Sequence, residues 1–164
     1  QCQWVNRSPL PHALDKCQAF NIHDTVYVLP CRSNQKALKY DVKADAWHKK
    51  AAMPGNNCAC CMVSAGDVIY AVGGHAGDQC YRYDSRLDTW SQLSLPTRVH
   101  AYGSAILMSG KILLCGGWSD FDNDQATACV DIYDIDDNKW SEHELTLPKQ
   151  IGGQCMLVTK LVRK

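Results

Sequence analysis

Four tryptophans recur at nearly constant spacing, and this period constrains the fold more than any other feature of the sequence. The intervals between them are 43, 43 and 50 residues. The four residues are Trp4, Trp47, Trp90 and Trp140. An apolar residue and a proline follow each of them, ending at Pro11, Pro54, Pro96 and Pro148. Self-similarity at roughly this period indicates a chain built from repeated structural units, such as propeller blades.

Between successive prolines the same signals follow in the same order. An apolar strand and a turn lead to a second apolar strand near a glycine pair, and then come a variable loop, Tyr-Asp and a tryptophan. The glycine pairs are Gly73-Gly74 and Gly116-Gly117, and the Tyr-Asp pairs are Tyr40-Asp41, Tyr83-Asp84 and Tyr133-Asp134. This punctuation predicts four short strands per unit. In the first unit Leu29-Pro30-Cys31 replaces the glycine pair, and we expect a different local turn there.

This arrangement resembles the kelch repeat, and the resemblance covers essentially the whole chain. It implies an all-β, kelch-type β-propeller, in which the glycine pair ends the second strand of a blade, the Tyr lies on the third and the Trp on the fourth. It predicts about three complete four-stranded blades plus parts of two more, or about half of a six-bladed ring. The expected divisions are an outer strand of a preceding blade (1–11), three blades (12–54, 55–96 and 97–148) and a ring-closing inner strand (149–164).

The repeated aromatic and glycine residues are expected to be structural. Tyr and Trp offer large flat apolar bodies between neighbouring sheets, with a polar edge that can reach a hydrogen-bond partner. Glycine permits a close backbone approach where a larger side chain would clash. The residues in this set are Gly73, Gly74, Gly116, Gly117, Tyr40, Tyr83, Tyr133, Trp47, Trp90 and Trp140.

Ten cysteines raise the possibility of a secreted disulfide framework. Their spacing favours reduced thiols, because Cys58, Cys60 and Cys61 crowd one predicted strand and Cys17 falls at the same repeat position as Cys60. A zinc site is the alternative for residues 58–61. Alternation along a strand sends Cys60 and Cys61 to opposite faces, and no second Cys or His pair follows at finger spacing. We therefore expect thiols, no bound metal and a cytoplasmic location.

The charge balance limits the possible partners. Lys plus Arg and Asp plus Glu both total 17, so no basic field attracts nucleic acid or anionic lipid. The longest apolar runs are strand-sized, far below the roughly 20 residues of a membrane helix. No signal peptide is visible at the first residues, and a trimmed signal or a trimmed domain is the alternative. We expect a partner protein that is recognised locally, with neither nucleic acid nor membrane as a partner.

One loop is lengthened and carries the clearest candidates for partner binding. Trp118 and Phe121, beside Asp120 and Asp122, could form an aromatic anchor with an acidic rim. The alternative is a solvated loop whose tryptophan covers its own blade. The acidic residues also begin like a calcium loop, but Gln125 stands where that loop needs glycine.

The resemblance implies that the other second-to-third-strand loops share a rim with the segments that enter the inner strands. On this basis the further candidates for partner binding are His75, Asp78 and Arg32 in the loops, and Asn57, Arg98 and His100 in the segments that enter the inner strands. Arg98 could bind a carboxylate in bidentate fashion. Ordinary surface charge is the alternative for each of them, and the opposite rim, near Lys43, Arg86 and Asp137, is the alternative surface.

The sequence favours an interaction protein over an enzyme. No Cys/His/Tyr set suggests a copper site, no phosphate-binding loop or Gly-x-Ser-x-Gly motif occurs, and residues 84–90 only superficially match a sialidase Asp-box. We predict no catalytic residues and no cofactor. The closest resemblance is to the propellers of BTB-kelch proteins, which implies a substrate-recognition arm of a cullin-RING ubiquitin ligase that reaches the ligase through a BTB region. An actin-binding or cytoskeletal scaffolding protein is the alternative. The rest of the propeller, or a second copy, would close the ring.

Overall fold

Three four-stranded antiparallel sheets form most of the described chain. The structure is a computed structural model that describes residues 3–14, 16–31, 35–57, 59–75, 77–120 and 123–152. Within these ranges every regular element is a β-strand and no helix occurs. No described segment therefore forms a helix that could cross a bilayer.

Each sheet is a meander whose strands pair in chain order. The first contains β1 (Cys17–Ile22), β2 (Thr25–Pro30), β3 (Lys36–Asp41) and β4 (Ala46–Ala52). The second contains β5 (Cys60–Ala65), β6 (Val68–Gly73), β7 (Tyr81–Asp84) and β8 (Thr89–Gln92). The third contains β9 (Ser104–Met108), β10 (Lys111–Cys115), β13 (Val130–Asp134) and β14 (Lys139–Glu142). The lengthened loop contains a hairpin of β11 (Trp118–Asp120) and β12 (Gln125–Ala126).

The aspartate of each Tyr-Asp pair shapes the turn between the third and fourth strands. Asp84 Oδ1 accepts hydrogen bonds from the backbone N–H groups of Arg86 (2.9 Å) and Leu87 (3.0 Å). Asp41 and Asp134 make the same pair of bonds in their own units. An Asp that bonds the backbone two and three residues on stabilises a turn locally. This explains why Tyr and Asp recur as a pair.

Two apolar cores lie between the sheets. The first, between the first and second sheets, includes Tyr27, Leu29, Cys60, Ile69 and Tyr83. The second, between the second and third sheets, includes Cys61, Tyr70, Val72, Ile112 and Tyr133. Cys60 and Cys61 thus face opposite sides of β5, as strand alternation predicts. The predicted all-β architecture of four-stranded blades is confirmed, and the described sheets do not close into a ring.

The ends and the first unit differ from the full blades. Residues 3–14, where an outer strand was expected, contain no strand, and residues 153–164, in the predicted closing strand, lie outside the described residues. Gly73 and Gly74 adopt positive φ of 75° and 111°, whereas Pro30 and Cys31 do not adopt positive φ. Instead the Cys31 N–H donates to the carbonyl oxygen of Lys16 at 2.9 Å. The first unit therefore closes β2 with a different local turn, as its sequence predicts.

Candidate functional site

A repeated hydrogen-bonded clamp joins each blade to the preceding segment. Trp90 Nε1 donates to the carbonyl oxygen of Ala51 at 3.1 Å, and the N–H of Ala51 donates to Asp88 Oδ1 at 2.9 Å. Asp88 Oδ1 also accepts the Tyr83 hydroxyl at 2.7 Å. The N–H and the carbonyl oxygen of Ala51, in the first blade, are therefore both hydrogen-bonded to side chains of the second blade. The same clamp holds Ser8 through Trp47, Asp45 and Tyr40, and Ser94 through Trp140, Asn138 and Tyr133.

The glycine pairs allow each second-to-third-strand loop to lie against the segment that enters the inner strand of the same blade. A Cβ on Gly74 would stand 2.1 Å from Asn57 Oδ1, and one on Gly117 would stand 2.6 Å from the carbonyl oxygen of Ala101. Gly117 also has a φ of 90°, which L side chains rarely adopt. A larger residue at either position would push the loop away from its neighbour.

Asn57 and His100 occupy equivalent positions in the second and third units, and their side chains contact carbonyl oxygens of the glycine pairs. Asn57 Nδ2 donates to the carbonyl oxygen of Gly73 at 2.9 Å, and His100 Nδ1 lies 2.8 Å from the carbonyl oxygen of Gly116. Both side chains are fully buried. The expectation that Asn57 and His100 contact a partner directly is therefore corrected. Their positions belong to the rim, but their side chains point into the protein because the loop carbonyls need donors.

Arg98 is also largely engaged within the chain. Its Nε donates to Asp131 Oδ1 at 2.7 Å, and Nη2 donates to Asp131 and to the carbonyl oxygen of Val130. Burial alone would raise the pKa of Asp131, but His100, whose Nε2 lies 3.2 Å from Asp131 Oδ2, and Arg98 hold that pKa below its usual value. The guanidinium that was expected to bind a partner's carboxylate already binds a carboxylate of its own chain. A quarter of the Arg98 side chain remains exposed.

An open cleft of about 220 Å³ lies between the second and third blades on this rim. Residues 95–99 form one wall, and the other consists of Gly73, Gly74, His75, Gly77 and Asp78. Asp78 Oδ2 accepts the His75 N–H at 3.0 Å, and the Asp78 N–H donates to the carbonyl oxygen of His75 at 3.1 Å. These two bonds join His75 and Asp78 on one wall of the cleft. Leu95, 44% exposed, supplies an apolar patch at its edge.

The hairpin of the third blade packs more closely than an open anchor would. Trp118 is half-buried and forms a two-bond bridge with Ala101, at 2.7 and 3.0 Å. A Cβ on Gly152 would stand 2.2 Å from the Trp118 indole, so that segment covers one side of the ring. Asp120 accepts two bonds from Asn123, which fold the hairpin turn. The structure thus agrees best with the alternative in which the tryptophan covers its own blade.

Three predicted contact residues, Phe121, Asp122 and Arg32, lie outside the described residues. Two residues that sequence reasoning missed lie at the starts of inner strands. Lys16 Nζ donates to the Tyr102 hydroxyl at 2.9 Å, and the Tyr102 ring meets the His75 ring edge to face at 5.7 Å between centroids. Only their equivalent positions, 86 residues apart, could have suggested this contact.

We call the surface formed by His75, Asp78, Leu95, Arg98 and Tyr102 the loop rim. It combines residues that line the cleft with Tyr102, which lies just before the inner strand β9. Across the described ranges, no group of three or more His, Cys, Asp or Glu side chains is placed to hold a metal ion. The loop rim contains aromatic, apolar and hydrogen-bonding groups.

The three four-stranded antiparallel sheets are consistent with blades of a β-propeller. Residues 57–94 and 101–142 both match the family model described as Kelch motif, and these matches support a kelch-repeat family for the chain. Kelch propellers are generally non-enzymatic modules that bind other proteins. The first unit lies outside both matches, although it forms the same four strands without the glycine pair. A search of curated proteins finds no similar sequence.

Proposed function

We propose that the loop rim is the surface through which this chain binds a partner protein. The observation that carries the proposal is the cleft between the second and third blades, which has the exposed Leu95 at its edge and the hydrogen-bonded pair of His75 and Asp78 on one wall. Binding surfaces commonly lie on loops that a rigid scaffold positions. A partner side chain that enters the cleft would displace water from Leu95 and meet polar groups of His75 and Asp78. His75, Tyr102 and Leu95 are the proposed direct contacts.

The opposite rim offers a different surface. A wider, more polar cleft of about 440 Å³ lies there, lined by His23, Lys39, Asp41 and Lys43 among others. Near it, Asp67 forms an ion pair with Arg86 (2.5 Å), and its Oδ1 lies 2.8 Å from His23 Nε2. Exposed ion pairs of this kind contribute little binding energy because water screens them. We therefore favour the loop rim.

The finer proposal is that this propeller is the substrate-recognition arm of a cullin-RING ubiquitin ligase. It rests on the resemblance to the propellers of BTB-kelch proteins. A cytoplasmic location is proposed with it.

Affinity purification of the full-length natural protein from cells tests this role. We expect a cullin and one or more partner proteins to co-purify, and the partner to accumulate when the proteasome is inhibited. Co-sedimentation with purified actin filaments, without a cullin in the purified complex, would instead favour the cytoskeletal alternative.

A further inference from the structure

The two walls of the cleft on the loop rim differ in how their charges are compensated. Arg98, on one wall, already faces two carboxylates, since it binds Asp131 and its Nη1 lies 3.7 Å from Glu142 Oε2. Asp78, on the other wall, is half-buried, and no Lys or Arg side chain in the described ranges pairs with it. The cation of the cleft is therefore occupied, whereas the carboxylate of Asp78 is not.

The side chain of Asn57 adds a second uncompensated oxygen. Its Nδ2 donates to the carbonyl oxygens of Gly73 and Gln79, both at 2.9 Å, so both amide hydrogens are used. Exchanging Nδ2 and Oδ1 would set an acceptor against two carbonyl oxygens, which fixes the orientation of the amide. The side chain is fully buried, and Oδ1 accepts no hydrogen bond from the described residues. Buried polar atoms without a partner are rare in folded proteins and need an explanation.

Gly74 brings the two oxygens together at the wall of the cleft. A Cβ on Gly74 would stand 2.1 Å from Asn57 Oδ1 and 2.9 Å from Asp78 Oδ2, so both oxygens lie on the same side of this glycine. Gly74 itself lines the cleft. The His75 N–H, at 3.0 Å from Asp78 Oδ2, uses one of about four acceptor sites of the carboxylate. A carboxylate beside the negative end of an amide dipole favours a cationic hydrogen-bond donor.

The facing wall suits the stem of a long basic side chain. Leu95 is exposed there, and Pro96 and Val99 are half-buried. Lysine and arginine cover apolar surface with their methylene groups while the charged head reaches a polar partner. The cleft, of about 220 Å³, thus combines an apolar wall with an acidic end.

We propose, on the basis of the function proposed above for the loop rim, that the cleft receives a basic side chain, lysine or arginine, of the partner protein. Its cationic head pairs with the carboxylate of Asp78, and its stem lies along Leu95 and Val99. Asn57 does not contact the partner, but its uncompensated Oδ1 strengthens the negative potential at Asp78. An acidic side chain at the same place would be repelled.

Peptides displayed on phage test this chemistry before a natural partner is known. A random peptide library is selected against the full-length natural protein, and the selected peptides are then measured against Leu95→Asp to find those that bind the loop rim. We expect these rim-binding peptides to carry a lysine or arginine next to an apolar residue. Rim-binding peptides without a basic residue would overturn the inference and leave the loop rim as a binding surface. A selection without any rim-binding peptide would count against both.

A double-mutant cycle then tests the contact with Asp78. One rim-binding peptide is synthesised with its basic residue and with glutamine in its place, and both dissociation constants are measured for wild type and Asp78→Asn. The substitution should weaken the basic peptide about tenfold and the glutamine peptide less than about twofold. Asp136→Asn, which removes the same charge from an exposed turn of the third blade, is the matched control and should change neither. Equal losses for the two peptides would show that the basic residue does not meet Asp78.

Two further measurements keep the cycle decisive. The amide oxygen introduced by Asp78→Asn can still accept the His75 N–H, so its melting temperature should match that of the wild type. Salt dependence needs no variant of the protein: raising the salt concentration should weaken binding of the basic peptide to the wild type more than that of the glutamine peptide. The same salt dependence for both peptides would overturn the ion pair, whatever the stability of Asp78→Asn.

Discussion

Trp90 donates a hydrogen bond from its indole to the carbonyl oxygen of Ala51, 39 residues earlier and in the preceding blade. Asp88 holds the N–H of the same residue. An aromatic packing residue thus also fixes the backbone register between two blades. The repetition of this clamp at Ser8 and Ser94 explains why Tyr, Asp or Asn, and Trp recur at fixed offsets.

Removing the clamp's indole should destabilise the propeller. Trp90→Ala should lower the free energy of unfolding by about 3 to 5 kcal/mol, because it removes packing against the first core as well as the hydrogen bond. Trp90→Phe keeps an aromatic ring and should cost less. Urea unfolding measures both. Trp4→Ala, at a fully exposed position, is the control and should change stability by less than about 0.5 kcal/mol.

The clamp should also make part of the stability depend on acid pH. Burial alone would raise the pKa of Asp88, but hydrogen bonds from Ala51 and Tyr83 and the charge of Lys50 lower it. A lowered folded pKa contributes stability that is complete above the unfolded value of about 3.9 and is lost as pH falls through the folded pKa.

Asn138 performs the same bonding in the third blade without a titratable group. Asp88→Asn should therefore flatten the loss of stability between about pH 5 and pH 2, measured by urea midpoints at several pH values. Asp136→Asn, on the exposed turn of the third blade, is the control and should leave the wild-type slope. Identical acid slopes for Asp88→Asn and the wild type would show that the clamp carboxylate does not contribute.

The buried ion pair predicts unequal effects for two arginines. Arg98→Ala leaves Asp131, which is 1% exposed, without its main cation and should cost about 3 kcal/mol of stability. Arg86→Ala removes an exposed ion pair with Asp67 and should cost less than about 1 kcal/mol. Thermal melts of both variants give the comparison. Similar melting temperatures would mean that the Arg98 pair contributes no more than an ordinary surface contact.

The sequence predicted the scaffold well because the period of Tyr, Trp and Gly reflects contacts that recur in each blade. It predicted the rim positions of Asn57 and His100 but not their orientation, since only the folded chain shows that the Gly73 and Gly116 carbonyls need donors. The partner of Arg98 was missed for a similar reason. Asp131 lies 33 residues away, beyond an inserted hairpin, and no repeat unit contains an equivalent pair that could reveal it.

The outer face of the third blade should make residues 1–164 self-associate when they are produced alone. Tyr70 of the second blade is 4% exposed because the third blade covers it, whereas its equivalent, Leu113, is only half-buried. Apolar faces and open sheet edges without a neighbour favour association. Light scattering after size exclusion should show dimers or larger species. A stable monomer at high concentration would contradict the expectation that another propeller segment or a second copy covers this face.

Binding by rim variants tests the central claim most directly. Once affinity purification has supplied a partner, its dissociation constant should be measured for wild type, Leu95→Asp and Leu87→Asp. Both leucines are exposed, but Leu95 edges the cleft on the loop rim and Leu87 lies in a turn on the opposite rim. Charge at a desolvated contact should weaken binding at least about tenfold for Leu95→Asp, and Leu87→Asp should bind like the wild type, with both variants melting normally. Normal binding by Leu95→Asp together with weakened binding by Leu87→Asp would contradict the account and place the partner on the opposite rim.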